Sequence, residues 1–182
     1  MRSVTLLLLT IIGGTLLAGC ANIPTGMPTE TAIPVALPDQ SLQAQDTTGA
    51  MTCQTIYLLN NDVWARNAGH IVGYSAIILA MQVSNTTTPA PGVHLRYYLS
   101  ERDDLTATDL AQLPLLLDAY LPNIPDSYQY DSGVVPLSPA LAQLLAGGRC
   151  FLYTSGPAHD FAMQATHIRL KLIARLSTWL HG

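Results

Sequence analysis

Apolar residues in this chain recur mostly at every second position, in short segments. The clearest is Val93–Ser100, which sets Val93, Leu95, Tyr97 and Leu99 on one face and His94, Arg96 and Tyr98 on the other, the pattern of a strand covered on one side. A longer apolar run over 73–84 alternates more loosely, 55–59 is a short β-prone run, and 128–137 reads as extended. Residues 149–154 make a further strand around Cys150, and 166–176 sets Ile168, Leu170 and Leu172 against Arg169, Lys171 and Ile173. Turn chemistry separates the segments, with Asn85-Thr86-Thr87-Thr88-Pro89-Ala90-Pro91-Gly92 before 93 and Gly147-Gly148 before 149.

Helical signals are few. Ser138 as N-cap, with Pro139 in the first helical position, starts a helix that Gly147-Gly148 ends. Thr108 or Asp109 would cap another short helix through Leu113, where Pro114 breaks the pattern and leaves Leu115-Leu116-Leu117 to pack elsewhere. Six or so strands with turn signals between them and one or two short helices predict an all-β fold, a β-sandwich.

Two stretches lie outside this pattern. The first joins the positive charge of Arg2 to an apolar run over 4–17, broken by Gly13-Gly14 and ending Leu17-Ala18-Gly19-Cys20. A spanning helix needs about 20 apolar residues, so this shorter run reads as a signal peptide. Leu17-Ala18-Gly19-Cys20 resembles the lipobox of bacterial lipoproteins, which implies removal of 1–19, diacylation of the Cys20 thiol and acylation of the new N-terminus. The resemblance makes the membrane a partner through the N-terminal lipid. Ala21, where that family uses Asp for inner-membrane retention, implies the outer membrane, facing the periplasm, in a Gram-negative host. The second stretch, 20–50, carries Pro24, Pro28, Pro34 and Pro38 among Thr, Gln, Ala and Ser, and reads as a disordered flexible tether ahead of a sandwich domain at 51–182.

Composition narrows the partners. Charged residues are 11% of the chain, the net charge is −4, and the arginines are scattered around a single lysine, Lys171, which argues against nucleic acid. With Cys20 assigned to lipid, Cys53 and Cys150 remain, and a disulfide is the default in an oxidising, exported location. Closing a loop of about 100 residues would contribute up to ~4.7 kcal/mol. The competing readings are two buried free thiols, or a metal site that also uses a histidine; neither cysteine has the close spacing that zinc ligands favour.

Asn85, Tyr97-Tyr98-Leu99-Ser100, Leu105, Asp109 and Leu113 together resemble the middle of the bacterial adhesion-related CARDB domain. Gly147-Gly148-Arg149-Cys150-Phe151-Leu152-Tyr153 resembles that family's glycine turn and penultimate strand. The resemblance implies an immunoglobulin-like sandwich and an adhesive role. Val93-His94-Leu95-Arg96-Tyr97-Tyr98-Leu99 followed by Thr108-Asp109-Leu110-Ala111-Gln112-Leu113 is similar to the sandwich lipoprotein that anchors the type VI secretion complex to the outer membrane, which implies an anchoring role instead.

Candidate chemistry is sparse. Ser155, His159 and Asp160 would be the members of a hydrolase triad, yet no Gly-x-Ser-x-Gly elbow surrounds the serine. Glu101, Asp103, Asp104 and Asp109 crowd one loop that could hold calcium weakly, with backbone carbonyls completing about six to eight oxygen ligands. Tyr120, Tyr128 and Tyr130 flank a proline-stiffened segment and are candidate contact residues, since tyrosine buries much area at low entropic cost. Trp179 and Leu180 pose the same choice between packing and docking. No cofactor is expected. The expected function is a lipid-anchored, non-catalytic binding module for adhesion or assembly of an envelope complex, with another envelope protein as partner; a type VI anchoring lipoprotein and a periplasmic hydrolase using the His159 region are the alternatives.

Overall fold

The longest strand, β10 (Phe161–Leu176), lies at the centre of one sheet and buries Phe161, Met163, Ala165, Ile168, Leu170, Leu172 and Ala174 on a single face. In this computed structural model, which describes residues 29–44, 49–85, 92–122, 127–157 and 161–177, β10 pairs on one side with β1 (Thr29–Ala36) and β2 (Gln40–Ala44), and on the other with β4 (Ile71–Asn85). The far edge of β4 is taken by β7 (Tyr128–Asp131) and β8 (Val135–Pro136). A second sheet runs in the order β3 (Met51–Tyr57), β9 (Arg149–Ser155), β5 (Val93–Ser100) and β6 (Leu115–Leu121). All pairings are antiparallel, and the core lies between the sheets.

The all-β sandwich expected from the alternating segments is therefore present. If β1–β2 and β7–β8 each count as one interrupted strand, the first sheet holds the first, eighth, third and sixth strands and the other the second, seventh, fourth and fifth. That is the order of an eight-stranded jelly roll, in which successive strands often pass from sheet to sheet.

Among the described residues, three α-helices close the gaps. Asn61 caps α1 (Asp62–Asn67), its Oδ1 accepting the N–H of Val63 and Trp64 at 3.0 Å each. The third helix, α3 (Pro139–Ala146), starts as its sequence requires, with Ser138 capping the Leu141 N–H and Pro139 in the first turn. It ends at Gly147, and Gly148 follows with φ 73. The second, α2 (Ala107–Leu110), corrects the expected cap. Thr106, not Thr108 or Asp109, is the N-cap, and Asp109 is the reciprocal member of a capping box, its carboxylate accepting the Thr106 N–H at 2.8 Å.

The flexible tether also needs correction. Residues 29–44 are not a leash: Ile33, Val35, Leu37 and Leu42 are buried in the core, and β1 and β2 together cover one edge of β10. An edge strand tolerates proline, because only its inner side must donate to a ladder. Pro34 lies in β1, where its carbonyl accepts Asn61 Nδ2 at 2.6 Å, and Pro38 occupies the break between β1 and β2, its carbonyl accepting Gln54 Nε2. The sandwich is thus already under way at Thr29.

The disulfide is absent: Cys53 and Cys150 are both free thiols. They lie on neighbouring strands, but Cys53 is opposite Tyr153 and Cys150 opposite Ile56. Three residues of offset put the side chains on opposite faces, with Cys150 in the core between the sheets and Cys53 outside. The strand β9 is buried on both sides, which explains its unbroken apolar run. Cys150 and Leu152 face the core, while Phe151 and Tyr153 lie with Tyr98 beneath Leu105, Leu110 and Leu113.

Candidate functional site

A bulge in β10 shapes the outer face of the first sheet. Between Thr166, opposite Gln82, and Arg169, opposite Ala80, β10 has one residue more than β4. His167 takes up the excess with φ 53, a left-handed conformation that costs a side-chain-bearing residue roughly 1–2 kcal/mol. Asp39 braces it, Oδ1 accepting the His167 N–H at 2.9 Å, and the Leu37 N–H donates to the Ile168 carbonyl at 3.0 Å. The break at 37–39 therefore lies opposite the bulge, so that both neighbours change register together.

The rows beside the bulge are polar. Thr166, Gln82 and Gln129 stand abreast on β10, β4 and β7, and Arg169, Ala80 and Asp131 form the next row. Because Ala80 is small, the ground between Arg169 and Asp131 is hollow, a trough of about 310 Å³ lined by Ala80, Gln82, Gln129, Asp131, His167 and Arg169 together with Met81 and Tyr130. Two strand spacings separate Arg169 from Asp131, ~10 Å between Cα atoms. The Asp131 carboxylate is oriented by the Gly133 N–H, which donates to Oδ1 at 2.8 Å where Gly133 turns with φ 61. The Arg169 guanidinium has no hydrogen-bond or ion-pair partner among the described residues, so the two charges face one hollow without closing on each other. A cation, a carboxylate and a pair of primary amides around an open hollow can hold a polar ligand through directed hydrogen bonds.

Of the residues singled out in the sequence, Tyr130 also lines the trough, and the others that the structure describes fall elsewhere. Tyr120 is 56% exposed on the outer face of β6, its ring 4.9 Å from that of His94. Tyr128 and Tyr130 belong to the other sheet, opposite Val83 and Met81, and Tyr130 packs against the core, so the three tyrosines do not form one patch. Asp118 takes His94 Nδ1 at 2.8 Å and Arg96 Nε at 3.6 Å on the same exposed strand pair as Tyr120. The acidic loop is not assembled as a metal site: no group of three ligating side chains is present among the described residues. Arg102 Nε binds Asp104 at 2.9 Å and holds its carboxyl below the usual range, while the Thr106 hydroxyl and N–H do the same for Asp109. Glu101 and Asp103 stay exposed. Cys20, the signal peptide, His159, Asp160, Trp179 and Leu180 lie outside the described residues.

The thiols differ in setting. Burial pushes Cys150 up to about 12, and partial burial also raises Cys53, against the opposing effect of its hydrogen bond with Tyr153. The Tyr153 hydroxyl pins the loop above it, accepting the Leu105 N–H and donating to the Arg102 carbonyl, both at 3.1 Å. Near the start of β3, Thr52 Oγ1, Gln54 Oε1 and Thr154 Oγ1 are buried without a partner.

Apart from Tyr130, none of the trough residues stood out in the sequence as a site, although one signal was available. Ala165 and Ile168 are consecutive core positions three apart, with Thr166 and His167 between them, so the period of two slips where the bulge lies.

No protein-family model matches this sequence, and no curated protein matches it. Among solved structures, the chain is similar to the enzymatically active domain of bacteriophage CBA120 tailspike protein 4, at 9% identity and TM-score 0.42 over 79% of this chain. The Triatoma virus empty capsid matches at 11% identity and TM-score 0.33, covering 82% of this chain and 88% of that one. Desmodium yellow mottle tymovirus matches at 11% identity and TM-score 0.27, covering 84% and 91%. The matched region spans about a fifth (19%) of the tailspike chain.

Proposed function

We propose that this chain is a lipid-anchored envelope protein whose sandwich is a non-catalytic binding module for adhesion or assembly of an envelope complex, with the trough on the outer face of the first sheet as its contact site. Anchorage rests on Leu17-Ala18-Gly19-Cys20 following a short apolar run. The binding role rests chiefly on Arg169 and Asp131, charges of opposite sign that share one hollow and do not neutralise each other. With β1 beginning at Thr29, nine Cα steps separate it from Cys20, at most about 30 Å of chain. The partner must therefore meet the module close to the membrane.

The test is fractionation of cells making the native chain or Cys20→Ser, with mass analysis of the mature N-terminus. An acylated Cys20 in the membrane fraction, and loss of the variant from it, is the expected result. An unacylated native product would end the anchorage reading.

A further inference from the structure

We infer that the trough binds a zwitterion the size of a dipeptide, with its carboxylate on Arg169 and its ammonium on Asp131. This deepens the binding role proposed above and rests on it. Three observations lead to it. The hollow has about 310 Å³, at the small end of the range for ligand sites. Its charged groups stand at opposite walls, on strands two spacings apart and ~10 Å from each other at their Cα atoms, a separation on the scale of the ~7 Å that an extended dipeptide spans. In the row beside those ends, Gln82 and Gln129 are adjacent, each carrying both a donor and an acceptor, as a peptide bond requires of its neighbours.

The bulge is what keeps the site open. Without the extra residue, β10 would continue its two-residue period past Ala165, and Ile168 would fall on the outer face beside the trough. Instead Arg169 stands in the row of Ala80 and Asp131, and His167 forms the upper wall. The left-handed backbone at His167, braced from β1–β2 by Asp39, is local strain maintained at the wall of this hollow. A ligand carrying only a negative charge would face Asp131 uncompensated, and one carrying only a positive charge would face Arg169. Net-neutral ligands with separated charges satisfy both.

The test is titration of the purified chain with alanylalanine, its N-acetyl form and its C-terminal amide, followed by calorimetry or by NMR shifts of the 166–169 amides. A charge-assisted hydrogen bond lost at either end should weaken binding about tenfold. Arg169→Gln should lower affinity for the free dipeptide about tenfold and abolish its preference over the amide. Asp131→Asn should do the same for the preference over the N-acetyl form. Both side chains are exposed, and the three ligands read the same selectivity on the unaltered chain. Equal affinity for all three, or no saturable shift at 166–169, overturns the assignment. Either result is independent of Cys20 acylation, which the mass of the mature N-terminus reports separately.

Discussion

A reductant should leave this protein's thermal stability unchanged. A bridge between Cys53 and Cys150 would close a loop of about 100 residues and contribute up to ~4.7 kcal/mol. For a domain of this size each kcal/mol moves the melting temperature by roughly 2–4 °C, so reduction of such a bridge would lower it by roughly 10–20 °C. The register forbids the bond. Cys53 faces Tyr153 across β3 and β9, and Cys150 faces Ile56, so the cysteines are three residues out of step. At ~3.4 Å per residue along the strands and ~5 Å across them, their Cα atoms are ~11 Å apart, against ~4.4–6.8 Å in disulfides, and their side chains leave opposite faces of the sheet. Melting with and without a strong reductant, followed by circular dichroism, should give superimposable curves. Maleimide should label Cys53 in the folded protein and Cys150 only after unfolding, because Cys53 is exposed and Cys150 is buried with its thiol pushed up to about 12. A drop of roughly 10 °C or more under reductant, or an intact mass lacking the hydrogens of both thiols, would refute the β3–β9 register.

Ile33→Ala should cost about 2–5 kcal/mol in denaturant melts, since Ile33 is fully buried, whereas a residue in a tether would cost nothing measurable. Thr154→Val should raise stability by about 1 kcal/mol because it removes a buried hydroxyl that has no partner; destabilisation would mean that the hydroxyl is bonded. Tyr153→Phe strands the Leu105 N–H and should lose about 1–3 kcal/mol, with hydrogen exchange rising over 101–106 ahead of global unfolding. His167→Val should lose roughly 1–2 kcal/mol more than His167→Gly, because only glycine takes φ 53 without a Cβ penalty; equal losses would mean that the bulge is absent.

Much of the sandwich was legible because period-two alternation reports a strand with one covered face. Val93–Ser100 was readable to the residue, and its outward Tyr98 was hidden only by a loop that packs on it. Ser138-Pro139 and Gly147-Gly148 delimited α3 because caps act through neighbouring atoms. The acidic loop misled for the same local reason: Thr106 was passed over as a cap, and Asp109 spends its carboxylate on Thr106. Composition failed at 29–44, where prolines that suit a leash equally suit an edge strand, and the deciding feature was the buried Ile33-x-Val35-x-Leu37 alternation around Pro34. Pairing could not be read at all. The thiol offset, the jelly-roll order and the trough depend on which strands lie side by side, and Gln82, Asp131 and Arg169 meet only because β10 and β7 flank β4.

The position of Thr29 changes what anchorage would mean. A tether over 20–50 would reach about 100 Å and let the sandwich sample a deep shell above a bilayer; nine steps allow about 30 Å, comparable to the domain itself. The chain enters β1 beside the end of β10, with Thr29 opposite Leu176, and Ser177 donates to the His70 carbonyl at 2.7 Å in the turn before β4. The acylated cysteine would thus hold the sandwich by this end of the first sheet. The trough is farther along the same sheet, since Arg169 pairs with Ala36 at the other end of β1, ~23 Å from Thr29 at the rise of a strand. A partner bringing a polar, doubly charged group to Arg169 and Asp131 would then approach at a height set by β1, not by a flexible leash. Inserting a flexible segment between Cys20 and Thr29 should therefore weaken assembly of the complex while leaving binding of the free dipeptide unchanged. Loss of both together would show that the segment before Thr29 supports the fold.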